Sequence, residues 1–179
     1  MKRTVALVGM VFGLFGGLLV AQAPPPIPKP AAEHQRLHYF VGEWKSEGNM
    51  KPSPWGPGGK FSSTDHNTML GDFFVVLYSE GTSPLGPTKE VAVMGYDPKE
   101  KVYTYDGYTN MGEHDLSKGT ISGNTWTWLS PEENMGGKKI KGRFIIKEDS
   151  ATSFAYSYDI SIDGGAWTNV MEGKATKVK

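Results

Sequence analysis

The chain has no cysteine among its 179 residues. No disulfide can therefore staple it, and its stability must come from a packed core and backbone ladders. Lipidation at an N-terminal cysteine of a processed chain is excluded for the same reason. There is no N-x-S/T glycosylation acceptor. No G-x-S-x-G, P-loop, G-x-G-x-x-G or EF-hand pattern occurs, so the compact motifs for acyl transfer, phosphate binding, dinucleotide binding and calcium binding are all missing. Charge of one sign is lacking too. Of the 19 Lys and Arg residues, Lys2 and Arg3 fall in the leader described next, which leaves 17 against 19 Asp and Glu, a net charge near −2. Such balance offers no electrostatic reason for nucleic acid or an anionic membrane surface as partner.

One long apolar run is present, and it is N-terminal. Lys2 and Arg3 precede Val5 to Val20, interrupted only by glycines, and Ala21-Gln22-Ala23 follows as an A-x-A site. This reads as a secretory signal peptide over residues 1–23, too short and wrongly flanked for a good membrane span. Cutting after Ala23 would leave Pro24 first, which hinders the peptidase. Cutting after Ala21, or an uncut anchor, stays open. The expected address is periplasmic or extracellular, with no stable membrane insertion once the leader is removed. Residues 24–30, with five prolines, read as an extended semi-rigid tether. Residues 31–179 then suit one domain with one core.

Within that domain Ala31 to Phe40 is the one helix candidate, with Leu37, Phe40 and Val41 on one side. Everything after Gly42 reads as strands and turns. Ten strands are expected: 43–50, 60–70, 73–80, 88–96, 102–109, 114–121, 124–129, 138–147, 152–162 and 166–176. In Ser153–Ile162 the residues Phe154, Tyr156, Tyr158, Ile160 and Ile162 share a face opposite Ser, Ala and Asp. Thr125–Trp128 places both tryptophans together. Ile140, Phe144 and Ile146 oppose Lys139, Lys141 and Arg143, so that basic strand presents its charges to solvent. One-sided burial along successive antiparallel strands requires a sheet that covers its apolar face. A meander of ten strands does so most simply by closing on itself, which also removes its edges. The fold class is all-β: a single antiparallel up-and-down barrel with a short N-terminal helix.

A family resemblance adds to this. Gly42-Glu43-Trp44 after a short helix is similar to the lipocalin and calycin signature. His34-x-x-Leu37-x-x-Phe40-Val41-Gly42-Glu43-Trp44, then Gly95-Tyr96-Asp97 before a strand carrying Tyr103, resembles a bacterial family of secreted lipocalin-like, nitrobindin-like barrels known only as a domain of unknown function. The resemblance covers roughly the whole mature domain. It implies that Trp44 closes the barrel floor under a basic side chain from the last strand, here Lys174 or Lys177 where the family more often has Arg. It implies no established activity. Nitrobindin-like barrels bind haem through a histidine on a late strand. The last histidine here is His114 and the final two strands hold none, so no cofactor is expected.

The ring-rich inner face is the main functional lead. Trp44, Tyr103, Tyr105, Trp126, Trp128, Tyr156 and Tyr158, with Phe154, are expected inside. A barrel of this size is either filled by side chains or leaves room for one ligand. A half-polar aromatic lining suits a cavity, because tyrosine and tryptophan need hydrogen-bond partners when buried. Filled core is the rival. His66 is the one histidine in mid-strand. Facing inward it would be a ligand contact or general base; facing outward it is a solvated residue. His34 and His38 are spaced i, i+4, but lack the glutamate and third ligand of a zinc site and read as surface residues. Trp55, in the Pro/Gly-rich loop Met50–Lys60, is either a lid over the barrel mouth or docked on the outer wall. Catalytic triads assembled from distant strands, and carboxylate pairs such as Asp106 with Glu172, stay open. Three functions follow: a carrier or sensor for a small, partly apolar or aromatic ligand, a filled structural or protein-interaction module, or an enzyme built around His66 or a carboxylate at the mouth. The sequence leaves the oligomeric state undetermined.

Overall fold

The computed structural model describes residues 29–53 and 56–178. The leader, most of the proline-rich tether and Trp55 lie outside the described residues. Helix α1 (Ala32–Arg36) runs directly into a 3-10 turn (Leu37–Phe40), in place of one continuous helix. Leu37 and Phe40 are buried from this segment. Among the described residues no helix is long and apolar enough to cross a membrane.

Eleven strands follow: β1 (Gly42–Met50), β2 (Gly59–Leu70), β3 (Phe74–Ser83), β4 (Gly86–Asp97), β5 (Val102–Thr109), β6 (His114–Ser122), β7 (Thr125–Leu129), β8 (Glu133–Met135), β9 (Lys138–Ser150), β10 (Ser153–Ile162) and β11 (Thr168–Lys177). All but β8 form one closed antiparallel barrel of ten strands. Each strand pairs with the next along the chain except at β8, where β7 pairs directly with β9. The barrel closes through β1 against β11, from Trp44 opposite Lys177 to Met50 opposite Met171. The three-residue β8 pairs only with the start of β9 and was not expected from the sequence. All three of its residues are exposed, so it carries no burial alternation to read.

The helical segment and Trp44 make the floor. Gly42 opens β1 with φ at 117°, a backbone conformation that only glycine adopts easily, and so turns the chain from the 3-10 helix into the sheet. The Trp44 ring is buried and its Nε1 donates to the Phe40 carbonyl at 2.9 Å. Lys177 Nζ lies 5.0 Å from the ring centre, so Lys177 rather than Lys174 is the basic residue over this tryptophan. Arg36 pairs with Glu148 at 2.7 Å, and Trp126 Nε1 donates to the same carboxylate at 2.7 Å. The helix is thereby clamped to β7 and β9. Tyr39 donates from one hydroxyl to the carbonyls of Ser150 and Ser153, and burial pushes its pKa up to about 12.

Three sequence expectations change. His34 is buried rather than at the surface. Its Nδ1 accepts the Ala31 N–H at 3.0 Å, and its ring meets Phe73 and Tyr96 edge to face. Asp159, expected on the solvent side of β10, is buried, and so removes Arg143 from the simple solvated face of β9. Arg143 Nε and Nη2 both donate to Asp159 Oδ2, at 3.2 and 2.7 Å, and Arg143 stacks on Trp167 at 4.4 Å. A break in β10–β11 register at Tyr158/Asp159 accompanies this cluster.

Candidate ligand cavity

Above the floor the barrel is not filled. A cavity of about 520 Å³ runs from Phe40 and Trp44 at the base to Glu113, Asp115 and Leu116, which are exposed at the opposite end. Strand register explains its wall in two arcs. On one side Trp128 of β7 stands opposite Phe144 of β9, Phe144 opposite Tyr158 of β10, and Tyr158 opposite Met171 of β11. On the other side Trp44 of β1 is opposite Asp65 of β2, Asp65 opposite Ser79 of β3, and Ser79 opposite Glu90 of β4. The first arc is aromatic and thioether. Beyond Trp44, the second is hydroxyl and carboxylate.

The polar arc is internally bonded. Ser63 and Ser79 donate to Asp65 Oδ1 at 3.0 and 2.7 Å. Tyr105 of β5 reaches up and donates to Glu90 Oε1. Burial raises Asp65 above the usual carboxylate range, although both serine hydroxyls oppose the rise. Burial likewise raises Glu90, with repulsion from Asp115, Asp65 and Glu113 adding to it and the Tyr105 hydrogen bond opposing it. Burial and the neighbouring Glu113 and Glu133 charges raise Asp115 at the rim. The tyrosines respond in the same sense. Burial and the Glu90 charge push Tyr105 well up, and burial pushes Tyr156 and Tyr158 up to about 12. These hydroxyls stay protonated donors at neutral pH.

Of the side chains singled out from sequence, Trp44, Tyr105, Trp128, Tyr156 and Tyr158 line the cavity. Tyr103 and Trp126 do not. They are buried beneath it, edge to face at 4.7 Å, with Trp126 also stacked parallel to Trp128 at 6.2 Å. Both belong to the packed floor, because residues 103 and 126 sit nearer the helical end of their strands. For His66 the structure selects one of the two alternatives. The residue faces outward, with its side chain 65% exposed and Nδ1 3.9 Å from Glu43 Oε1. It belongs to an outer row in which it stands opposite Tyr78, Tyr78 opposite Val91, Val91 opposite Tyr108, and Tyr108 opposite His114. The residues that β2 turns inward are its neighbours Asp65 and Asn67. Asp106 is likewise an exposed outer residue, 2.8 Å from His114 Nε2. Among the described residues no group of three or more His, Asp or Glu is placed to hold a metal ion.

A closed ten-strand barrel with a helical plug and a Gly-x-Trp at its floor defines a calycin-like protein. The chain belongs to the family described as "Protein of unknown function (DUF1579)", with the match spanning residues 29–177. No curated protein matches it. The solved structures it is similar to include Rv2717c from M. tuberculosis, at 11% identity and a TM-score of 0.56 over 84% of this chain and 100% of that one. Another is the S-type phycobiliprotein lyase CPES from Guillardia theta, at 11% identity and a TM-score of 0.58 over 83% of this chain and 94% of that one. At this identity the likeness is one of fold.

Proposed function

We propose that the protein is an exported carrier or sensor that holds one small, partly apolar ligand inside its barrel. The observation that carries this reading is the cavity of about 520 Å³ between the aromatic and polar arcs. Its size falls in the range of roughly 300–1,000 Å³ common for small-molecule sites, and its mixture of rings with a few directed polar groups is the usual composition of such sites. A barrel serving only as a structural module would gain more from closing that space with aliphatic side chains, since an empty interior forfeits dispersion contacts. The outward position of His66 removes the histidine on which a barrel-mouth enzyme rested. Export is supported by the basic start, apolar run and A-x-A site of residues 1–23.

Native mass spectrometry of the protein purified from its own cell envelope tests the reading. A bound mass of a few hundred daltons, released on denaturation, is the expected result. Trp44 and Trp128 both line the cavity, so the fluorescence of ligand-free protein should change on titration with apolar aromatic compounds. No retained mass together with no fluorescence response would end the proposal.

A further inference from the structure

The charge inventory of the cavity is one-sided. Among the described lining residues there are four carboxylates, Asp65, Glu90, Glu113 and Asp115, and no lysine, arginine or histidine. Among the described residues no basic side chain forms an ion pair with any of the four. The ion pairs of the described barrel lie elsewhere, such as Lys89 with Glu80 and Lys139 with Glu132 on the exposed surface. On the acidic arc Ser63 and Ser79 are already committed to Asp65 and Tyr105 to Glu90, while the Tyr156 and Tyr158 hydroxyls belong to the aromatic side of the cavity. The imbalance extends to a neutral group. Asn67 is only 4% exposed and lines the same cavity. It gives its amide to the Phe40 carbonyl at 3.0 Å, and its Oδ1 has no hydrogen-bond partner among the described residues. Buried acceptors without donors are rare because each forfeits its desolvation energy. The wall therefore holds a surplus of acceptors and negative charge, facing the π-surfaces of Trp128, Tyr156 and Tyr158.

We infer that the ligand is an organic cation: an ammonium group carried on an aromatic or aliphatic body, with the charge directed to the Asp65–Glu90 arc and the body against the aromatic arc. This deepens the small-ligand reading and rests on it. An ammonium supplies the missing donors and neutralises the carboxylates. It also gains from the ring faces, whose quadrupoles attract cations. An anionic ligand would meet four carboxylates and no counter-charge. A bare metal ion is disfavoured because the carboxylates are spread along the wall and do not converge. Burial raises both carboxyl pKa values, with repulsion from the other carboxylates adding at Glu90, and a bound cation would pull them back down.

The test is a charge series on one hydrophobic body. 2-(1-Naphthyl)ethylamine, its trimethylammonium derivative, 2-(1-naphthyl)ethanol and 3-(1-naphthyl)propanoate are titrated by calorimetry at pH 7 against the mature protein, Glu90→Gln and Asp65→Asn. The amine should bind at least about tenfold tighter than the alcohol, the gain of one charge-assisted hydrogen bond, and the quaternary ammonium, which has no N–H to donate but keeps its attraction to the carboxylates and ring faces, should fall between the two. The propanoate should bind weakest. Each variant should lose most of the cation preference while keeping its affinity for the alcohol, which also shows that it is folded. Alcohol binding equal to amine binding, or an unchanged preference in both variants, would overturn the cation assignment and leave the small-ligand reading standing. Binding by none of the four would overturn both.

Discussion

The Tyr105 hydroxyl of β5 donates to the Glu90 carboxylate of β4 inside the barrel. The bond is the point at which the aromatic wall and the acidic wall meet. Removing the hydroxyl leaves a largely buried carboxylate without its donor, a loss of about 1–3 kcal/mol for a hydrogen bond to a charged group. Tyr105→Phe should therefore lower stability by that amount at pH 7, read from the urea midpoint. The loss should shrink when Tyr105→Phe is placed on Glu90→Gln, because a neutral amide is cheaper to leave unpaired. Equal losses in the two backgrounds would mean that the bond contributes nothing through the charge.

The interior carboxyls set a pH dependence with a definite sign. Asp65 and Glu90 have pKa values raised above the ordinary 3.8 and 4.5, in each case chiefly by burial. Between its ordinary pKa and the folded value, each group binds more protons in the folded chain than in the unfolded one. Stability contributed by the protonated group is thus fully present below the ordinary value and is lost as pH rises through the folded value. Asp65→Asn and Glu90→Gln should each be more stable than the parent at pH 7, and the advantage should fade as pH approaches about 4. For Asp65 the serine hydroxyls of Ser63 and Ser79 can still donate to the amide oxygen. Melting temperatures across this range check the effect, and a constant difference at all pH values would contradict it.

Much of the fold was legible because several strands, β7 and β10 above all, carry a ring-rich or aliphatic face. Phe154 and Tyr156 against Ser153, Ala155 and Ser157 left one way to orient β10. The acidic arc was not legible for an equally physical reason. In Ser62 to Thr68 both faces of β2 are polar, so alternation within that stretch is silent and leaves His66 unoriented. The signal that orients it lies at the ends: Phe61 and Met69 share parity with Asp65 and Asn67, and both pack against the core. Leu70, on the parity of His66, is exposed. Glu90 was hidden differently. In β4 the residues Val91 and Val93 on one face rival Ala92 and Met94 on the other, and only the closed barrel decides between them. Asp159 escaped because its partners, Arg143 and Asn169, come from the two neighbouring strands.

Trp44 and Lys177 give a contrast in magnitudes at the floor. The Trp44 ring is wholly buried, contacts Tyr39 and Phe154 at ring-centre distances of 5.7 and 5.0 Å, and hydrogen-bonds Phe40. Trp44→Ala should cost about 3–5 kcal/mol from the cavity it leaves. Lys177 covers the ring from the partly exposed side, so Lys177→Gln should cost only about 0.5–1 kcal/mol. Replacement by Arg should restore it. Denaturant unfolding of the three variants distinguishes a cation–π lid from a packed floor. A Lys177→Gln loss as large as that of Trp44→Ala would show that the lysine does more than cover the ring.

Gly119 of β6 stands opposite Trp128 of β7, and the tryptophan ring lies over it. A Cβ at position 119 would come within 2.6 Å of Trp128 Cε3 and 2.7 Å of Cδ2, atoms of a rigid ring rather than of a yielding chain end. The ring must then swing away, and the cavity it lines offers it space. Gly119→Ala should destabilise the barrel by about 1–3 kcal/mol, the usual cost of overpacking. It should also weaken binding of the naphthyl compounds whatever their charge, because Trp128 contributes shape as well as π-surface. That pattern separates it from Glu90→Gln, which should weaken the cations alone. Calorimetry on the two variants side by side reads the difference. Cation-selective weakening in Gly119→Ala would place the charge against Trp128 instead of against the carboxylates.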